Sequence, residues 1–389
     1  MKAKFSTKNV CTLALALVVS VLLLAATRAG GQTPRQTDTL PSQGNPATQP
    51  TPMSAPTPAS TPASTPGDII DDIDTVSVES NLVVVPVSVT DAAGQPVQGL
   101  TVKDFQLWEE GRAQEITQIG NPEQVPLEIA ILLDVSSSVT ERFAFEQQAA
   151  TRFLKQVLKS SDKAAVFAIN QKSQLEQELA SAEIASAKLL SIKPAAGPVP
   201  TAFYDTVIAA SKYLAQKTPE RHRRVIVVIS DGEDNFSDSI RDTEIAVRKA
   251  DASEDTPQTR RERLENRRAE LHRKAQANVL REVQRADVVF YSINPSGESL
   301  RLNKISQRAQ DGMQKLADET GGTAFAPNKI EDLEAIFNRI AAELRAQYLL
   351  QYYSADESPT GKYLRLKVAV PTQTQQRVRA RQGYYAKRK

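Results

Sequence analysis

The chain of 389 residues has one cysteine, Cys11, and two histidines, His222 and His272. Cys11 lies at the start of an N-terminal apolar run. A lipoprotein signal places its cysteine at the end of such a run, so lipid attachment there is excluded. With the leader removed no thiol remains, which rules out disulfides, thiolate nucleophiles and cysteine-ligated metals. Stability must therefore come from a hydrophobic core, and an apolar content of 40% with 24% charged residues supplies one. A strong net charge is also absent. Four of the 48 basic residues, Lys2, Lys4, Lys8 and Arg28, lie in the first 28 positions, where no acid occurs. The remaining 44 face 46 acids, so nothing global attracts nucleic acid or an anionic membrane.

What is present begins with an address. Lys2, Lys4 and Lys8 precede an uncharged run of 17 residues, Val10 to Ala26, and Thr27 and Ala29 are small residues at the −3 and −1 positions of a cleavage site. Residues 1–29 are expected to export the chain to the periplasm, cell envelope or exterior. They act either as a cleaved signal peptide or as an uncleaved N-terminal anchor, the sole membrane contact expected, because the run only approaches the length of a membrane span. Residues 30–67 hold nine of the 22 prolines among Thr, Ser, Gln and Ala. They read as a disordered spacer that tethers the folded part.

Residues 68–122 alternate short β-branched runs with turn signals at Asp91–Gly94 and Glu109–Arg112, as expected of a small antiparallel β domain. From 127 to 345 strands and helices alternate. Strands are expected at 127–133, 164–170, 174–179, 224–230, 287–293 and 323–326. Helices are expected at 140–159, 182–190, 203–216, 239–250, about 259–286, 303–320 and 330–345. The runs IAILL, VIVVIS and DVVFYSI are almost wholly apolar, as in central parallel strands covered on both faces. The expected class is α/β, a doubly wound and mostly parallel sheet, flanked by antiparallel β segments that form a sandwich or a hairpin extension. Residues 346–389 add more strands, which either pair with 68–122 or pack as a hairpin on the α/β sheet.

The segment 251–286 is a charged helical extension without glycine and with one proline, Pro257. Leu264, Leu271, Val279, Leu280 and Val283 form its apolar stripe, and Glu262, Glu265 and Glu270 interrupt its basic residues. A solvated amphipathic helix is the plain expectation, and a docking arm the sharper one.

The apolar run from Ile131 ends abruptly in DVSSS. Asp134, Ser136 and Ser138 are spaced so that one loop can turn all three towards a point. The later strand ends in SDGEDN, which places Asp231 at the same sheet edge, and Thr201 opens a helix between them. Carboxylate and hydroxyl oxygens suit a hard dication. Turn and helix-cap roles explain any one of these residues alone, and Asp205 and Asp234 nearby read as caps or surface acids.

These five residues resemble the metal-ion-dependent adhesion site of von Willebrand factor type A domains, which reads Asp-x-Ser-x-Ser, then Thr, then Asp. With the flanking DFQLWEEGRAQEIT and RARQGYYA the chain is similar to bacterial secreted VWFA-related proteins. The resemblance spans about Leu127 to Leu344. It implies Mg²⁺, with Mn²⁺ or Ca²⁺ as alternatives, held by Asp134, Ser136, Ser138, Thr201 and Asp231. It also implies a protein partner whose carboxylate completes the shell. Pro200 and Ser137 stand where the family often has glycine, and neither change removes a ligand. Thr323 in GGTAF follows Asp231 in the chain and opens a strand, so it does not count as the threonine.

No G-x-S-x-G elbow occurs. His222 precedes a strand, at the sheet edge away from the serines, and His272 lies in the charged helix. An EF-hand reading of the segment from Asp231 fails because Phe236 occupies the glycine position and Asp242 the glutamate position. The expectation is an exported, non-enzymatic binding module for an acidic group on a protein, not a nucleic-acid binder. The alternative is a metal-independent platform for envelope assembly.

Overall fold

The computed structural model describes residues 81–136, 140–197, 199–241, 256–297, 304–356, 360–371 and 375–386. The expected leader and spacer, the first residues of the β domain, Ser138 and most of the helix expected at 239–250 lie outside the described residues.

The central sheet has six strands in the order β10-β9-β8-β5-β6-β7. They are β5 (Leu127–Asp134), β6 (Lys163–Ile169), β7 (Gln174–Ala180), β8 (Arg223–Ile229), β9 (Val288–Ile293) and β10 (Ala324–Phe325). All neighbours are parallel except β7, which runs antiparallel to β6 at one edge. Every residue of β5 is buried, because helices cover both faces. Ile129, Ile131 and Leu133 face α1 (Thr140–Val157), α2 (Ala182–Ser191) and α6 (Asp332–Arg345). Ala130 and Leu132 face α3 (Phe203–Lys217), α4 (Pro257–Arg285) and α5 (Lys304–Thr320). The sheet is thus doubly wound, as the alternating pattern predicts.

Successive connections run outward from β5 in opposite directions, to β6 on one side and, later in the chain, from β8 on the other. The point of reversal lies at the C-terminal ends of β5 and β8, the position at which open α/β sheets bind ligands. Leu133 lies opposite Ile229 in this parallel register, so the two loops that follow start side by side.

The remaining strands form two four-stranded antiparallel sheets, ordered β13-β1-β11-β4 and β14-β12-β2-β3. The first part of the chain supplies β1 (Leu82–Thr90), β2 (Gln106–Glu109), β3 (Arg112–Gln114) and β4 (Gln118–Gly120). The last part supplies β11 (Tyr348–Tyr353), β12 (Tyr363–Ala369), β13 (Arg377–Ala380) and β14 (Gly383–Tyr385). Strand β1 pairs with β11 and β13, and β12 pairs with β2. The C-terminal strands therefore join those preceding the α/β unit instead of extending its sheet as a hairpin. Val85, Val87, Leu107, Leu350, Tyr352 and Leu366 fill the space between the two layers. The sandwich has a core of its own, and the α/β unit is inserted between its halves.

Candidate metal-binding edge

Asp134 is the last residue of β5 and only 8% exposed. Its Oδ1 accepts hydrogen bonds from the backbone N–H and the hydroxyl of Ser136, an Asx-type turn that bends the chain out of the strand. Its Oδ2 accepts from Ser230 Oγ at 2.7 Å, across to the end of β8. Ser230 Oγ in turn accepts from the N–H of Gly232 at 3.0 Å. Gly232 has a φ of +75°, and a Cβ there would lie 2.7 Å from Met313 Sδ, so glycine lets the chain turn directly after Asp231. Asp231 Oδ1 accepts from the N–H of Glu233.

Thr201 is buried and joined to the same loop. Its N–H donates to Asn235 Oδ1 at 2.7 Å, and its carbonyl accepts from the N–H groups of Asn235 and Phe236, both at 3.1 Å. Asp234 fastens the loop to α3: its carboxylate accepts from the N–H of Tyr204 at 2.7 Å and from Ser237 Oγ at 2.6 Å. Asp205 reciprocates by accepting from the N–H of Asp238. Asp234 and Asp205 thus tie this loop and α3 together through backbone N–H groups, and Asp234 is buried.

Of the five residues singled out in the sequence, Asp134 at the end of β5 and Ser136, Thr201 and Asp231 on loops stand at one sheet edge, and Ser138 lies outside the described residues. His222 is elsewhere. Its Nδ1 lies 2.9 Å from Glu128 Oε1, and Glu128 follows the first residue of β5 at the opposite edge. His272 Nδ1 lies 3.2 Å from the hydroxyl of Tyr204.

The edge is acid-rich. Burial pushes the Asp134 carboxyl up, hydrogen bonds from Ser136 and Ser230 draw it back, and the charge of Asp231 adds a further upward push. Glu146 on α1 is 3% exposed and rises to about 7, first through burial and then through the charges of Asp134 and Asp231. Its counter-charge, Arg142, stands at 3.4 Å and draws the carboxyl back. Three acids, Asp134, Glu146 and Asp231, thus repel one another here, with Arg142 as a partial offset. Among the described residues no three His, Cys, Asp or Glu side chains form a metal cluster. Any cation here would depend on hydroxyls beside carboxylates, and the all-oxygen donor set with its surplus of negative charge fits a hard dication.

Two contributors were missed in the sequence. Ser230 precedes Asp231, and its role emerges only when β5 and β8 are neighbours. Glu146 left a clearer trace: an acid between Phe143 and Ala150 on the apolar face of α1.

The strand order and the helices on both faces define a doubly wound, mostly parallel α/β fold, with these loops at one edge. Structural comparison finds likeness to an aerotolerance-related membrane protein from Bacteroides fragilis, at 17% identity and a TM-score of 0.33, over 56% of this chain and 98% of that one. The vWF domain of the type V pilus tip protein Mfa5 from Porphyromonas gingivalis is 12% identical over 56% of this chain and 94% of that one, with a TM-score of 0.38. Proximal thread matrix protein 1 from the mussel byssus, with a zinc-occupied MIDAS motif, is 11% identical over 60% of this chain, with a TM-score of 0.39. The chain spans about half of that protein, 48%. No family model and no curated protein matches the chain.

Proposed function

We propose that the protein is an exported, metal-ion-dependent binding module of the adhesion or scaffolding kind, and not an enzyme. One observation carries the reading. Asp134 and Asp231 end or follow neighbouring parallel strands, and their charges, with that of buried Glu146, oppose one another in a region of low solvent access. Asp134, Ser136, Thr201 and Asp231, with Ser138 beyond the described residues, would hold a divalent cation, Mg²⁺ in preference to Mn²⁺ or Ca²⁺. Bound there, the cation would supply positive charge for a partner's carboxylate. Ser136 and Ser230 orient Asp134, and Asn235 and Asp234 hold the threonine loop beside it, so the donors are fixed before any ligand arrives. Export rests on the basic, apolar and small-residue succession of positions 1–29.

The test is calorimetric titration of Mg²⁺ and Mn²⁺ into the full chain and its Asp134→Ala variant. Saturable one-site heat in the parent, absent from a folded variant, is expected. No heat and no thermal stabilisation of the parent by either ion would leave the edge residues as turns and caps, and would favour a metal-independent envelope platform.

A further inference from the structure

Helix α4 is far longer than the sheet it covers. Its 29 residues extend about 43 Å, against about 23 Å for the seven residues of β8. Its buried positions, Ala275, Val279 and Val283, all fall in the C-terminal half. The level at which it leaves the body is marked by Tyr204. That hydroxyl meets His272 Nδ1 at 3.2 Å and Gln276 Nε2 at 3.3 Å, while the backbone N–H of the same residue is bonded to Asp234. The helix thus passes the loops of Thr201 and Asp231 at about His272. Since α4 runs towards the start of β9, residues 257–271 extend some 22 Å further on the metal-site side of the sheet.

The overhang is basic. Between Pro257 and Lys274 seven basic residues face three acids. Arg260, Arg263, Arg267 and Lys274 recur at helical spacing on the side opposite Ala275 and Val279, and all four are exposed. Glu270 shares this stripe and pairs with Lys274 at 2.8 Å. A helix in water gains little from such a composition unless something packs on it, and covering the sheet does not require these turns. Glu265 is tied to Lys304 at the start of α5 at 3.0 Å, which steadies the projection.

We propose that residues 257–274 form a basic recognition arm that binds acidic side chains flanking the carboxylate a protein partner presents to the metal site. This rests on the reading of that site given above. The arm adds what one ion cannot: the ion selects a carboxylate, and the arm selects a carboxylate set within an acidic stretch. A protein partner is favoured over nucleic acid because Glu262, Glu265 and Glu270 interrupt the basic surface, whereas phosphates repeat without a gap.

The test uses the full chain and fluorescent poly-L-glutamate as probe, at saturating Mg²⁺ and again with EDTA. Changing Arg260, Arg263 and Arg267 together to Gln is expected to weaken probe binding about tenfold at low salt, with the effect fading at high salt. Mg²⁺ heat should be unchanged. Asp134→Ala should remove only the Mg²⁺-dependent part of probe binding. If the triple variant misfolds by circular dichroism, Arg267→Gln with Lys274→Gln tests the same stripe. Probe binding unaffected in a folded arm variant that still binds Mg²⁺ would overturn the arm and leave the metal site standing. Duplex DNA binding more tightly than poly-glutamate, and losing affinity in the same variant, would overturn the choice of partner. No Mg²⁺ heat in the parent would overturn the metal site and joint recognition together, whatever the arm does.

Discussion

Ser230 Oγ donates to Asp134 Oδ2 across 2.7 Å, joining the ends of β5 and β8 where the order of the sheet reverses. The bond leaves Asp134 little freedom to rotate, and Ser230 is itself fixed by the N–H of Gly232. Groups that orient a ligand in this way are worth about 10–100-fold in metal affinity. Ser230→Ala is therefore expected to weaken Mg²⁺ binding at least about tenfold and, because the buried Asp134 Oδ2 and Gly232 N–H lose their partner, to lower stability by about 1–3 kcal/mol. Calorimetry and thermal melting of the same samples check this. Undiminished Mg²⁺ affinity in the variant would show that the bond serves only the fold.

Glu146 makes stability depend on pH in the metal-free protein. Its folded-state value, about 7, lies above the ordinary 4.5, so the folded protein holds this proton more tightly than the unfolded chain. Its contribution is fully present below pH 4.5, declines as pH rises and is gone above about 7. The shift corresponds to roughly 3 kcal/mol. Urea unfolding in EDTA, compared between the parent and Glu146→Gln, should show the variant gaining on the parent as pH rises across this window. Saturating Mg²⁺ should shrink the gap, since a cation near Asp134 and Asp231 offsets the repulsion. A gap independent of pH would mean that Glu146 is already ionised in the folded protein.

The sheet was legible because strands covered on both faces leave an unbroken apolar run, and β5, β8 and β9 each do so. The edge strand β7, QLEQELA, is half polar and leaves no such run, because an edge strand stands partly exposed. Asp134, Thr201 and Asp231 stood out because each interrupts such a run or opens a helix. Ser230 and Asn235 did not, because their importance depends on which strands are neighbours, and spacing along one chain does not encode that. The basic stretch was visible as composition. Its position past the site follows only from the Tyr204–His272 contact.

The sandwich is fastened by one buried carboxylate. Glu109 ends β2 and accepts hydrogen bonds from Ser354 Oγ at 2.6 Å, from Tyr384 Oη at 2.8 Å and from the Tyr352 hydroxyl. Ser354 and Tyr352 belong to the opposing layer, so Glu109 ties the two sheets together. Burial first, and the carboxylate next for Tyr352, raise both phenols, that of Tyr384 to about 12, and they remain donors at any physiological pH. Glu109→Ala leaves the buried hydroxyls of Tyr352 and Ser354 and the half-buried one of Tyr384 without this acceptor, and is expected to cost about 3–5 kcal/mol. Glu109→Gln, which keeps an acceptor oxygen, should cost less. Equal losses in the two variants, measured as urea midpoints, would place the effect in packing instead.

Arg223 at the opposite end of the sheet offers a control for the metal edge. Its guanidinium donates to the Leu344 carbonyl at 2.7 Å, in the last turn of α6, and to the Pro122 carbonyl at 2.9 Å, in the segment leading from the sandwich into β5. One planar fork therefore holds a helix C-terminus and an interdomain connection, a geometry an ammonium cannot reproduce. Arg223→Lys should lower stability by about 1–3 kcal/mol. It should leave Mg²⁺ affinity within about twofold, because a strand length of some 20 Å separates it from Asp134. Matched losses of stability and ion affinity would instead show that α6 couples the two ends of the domain.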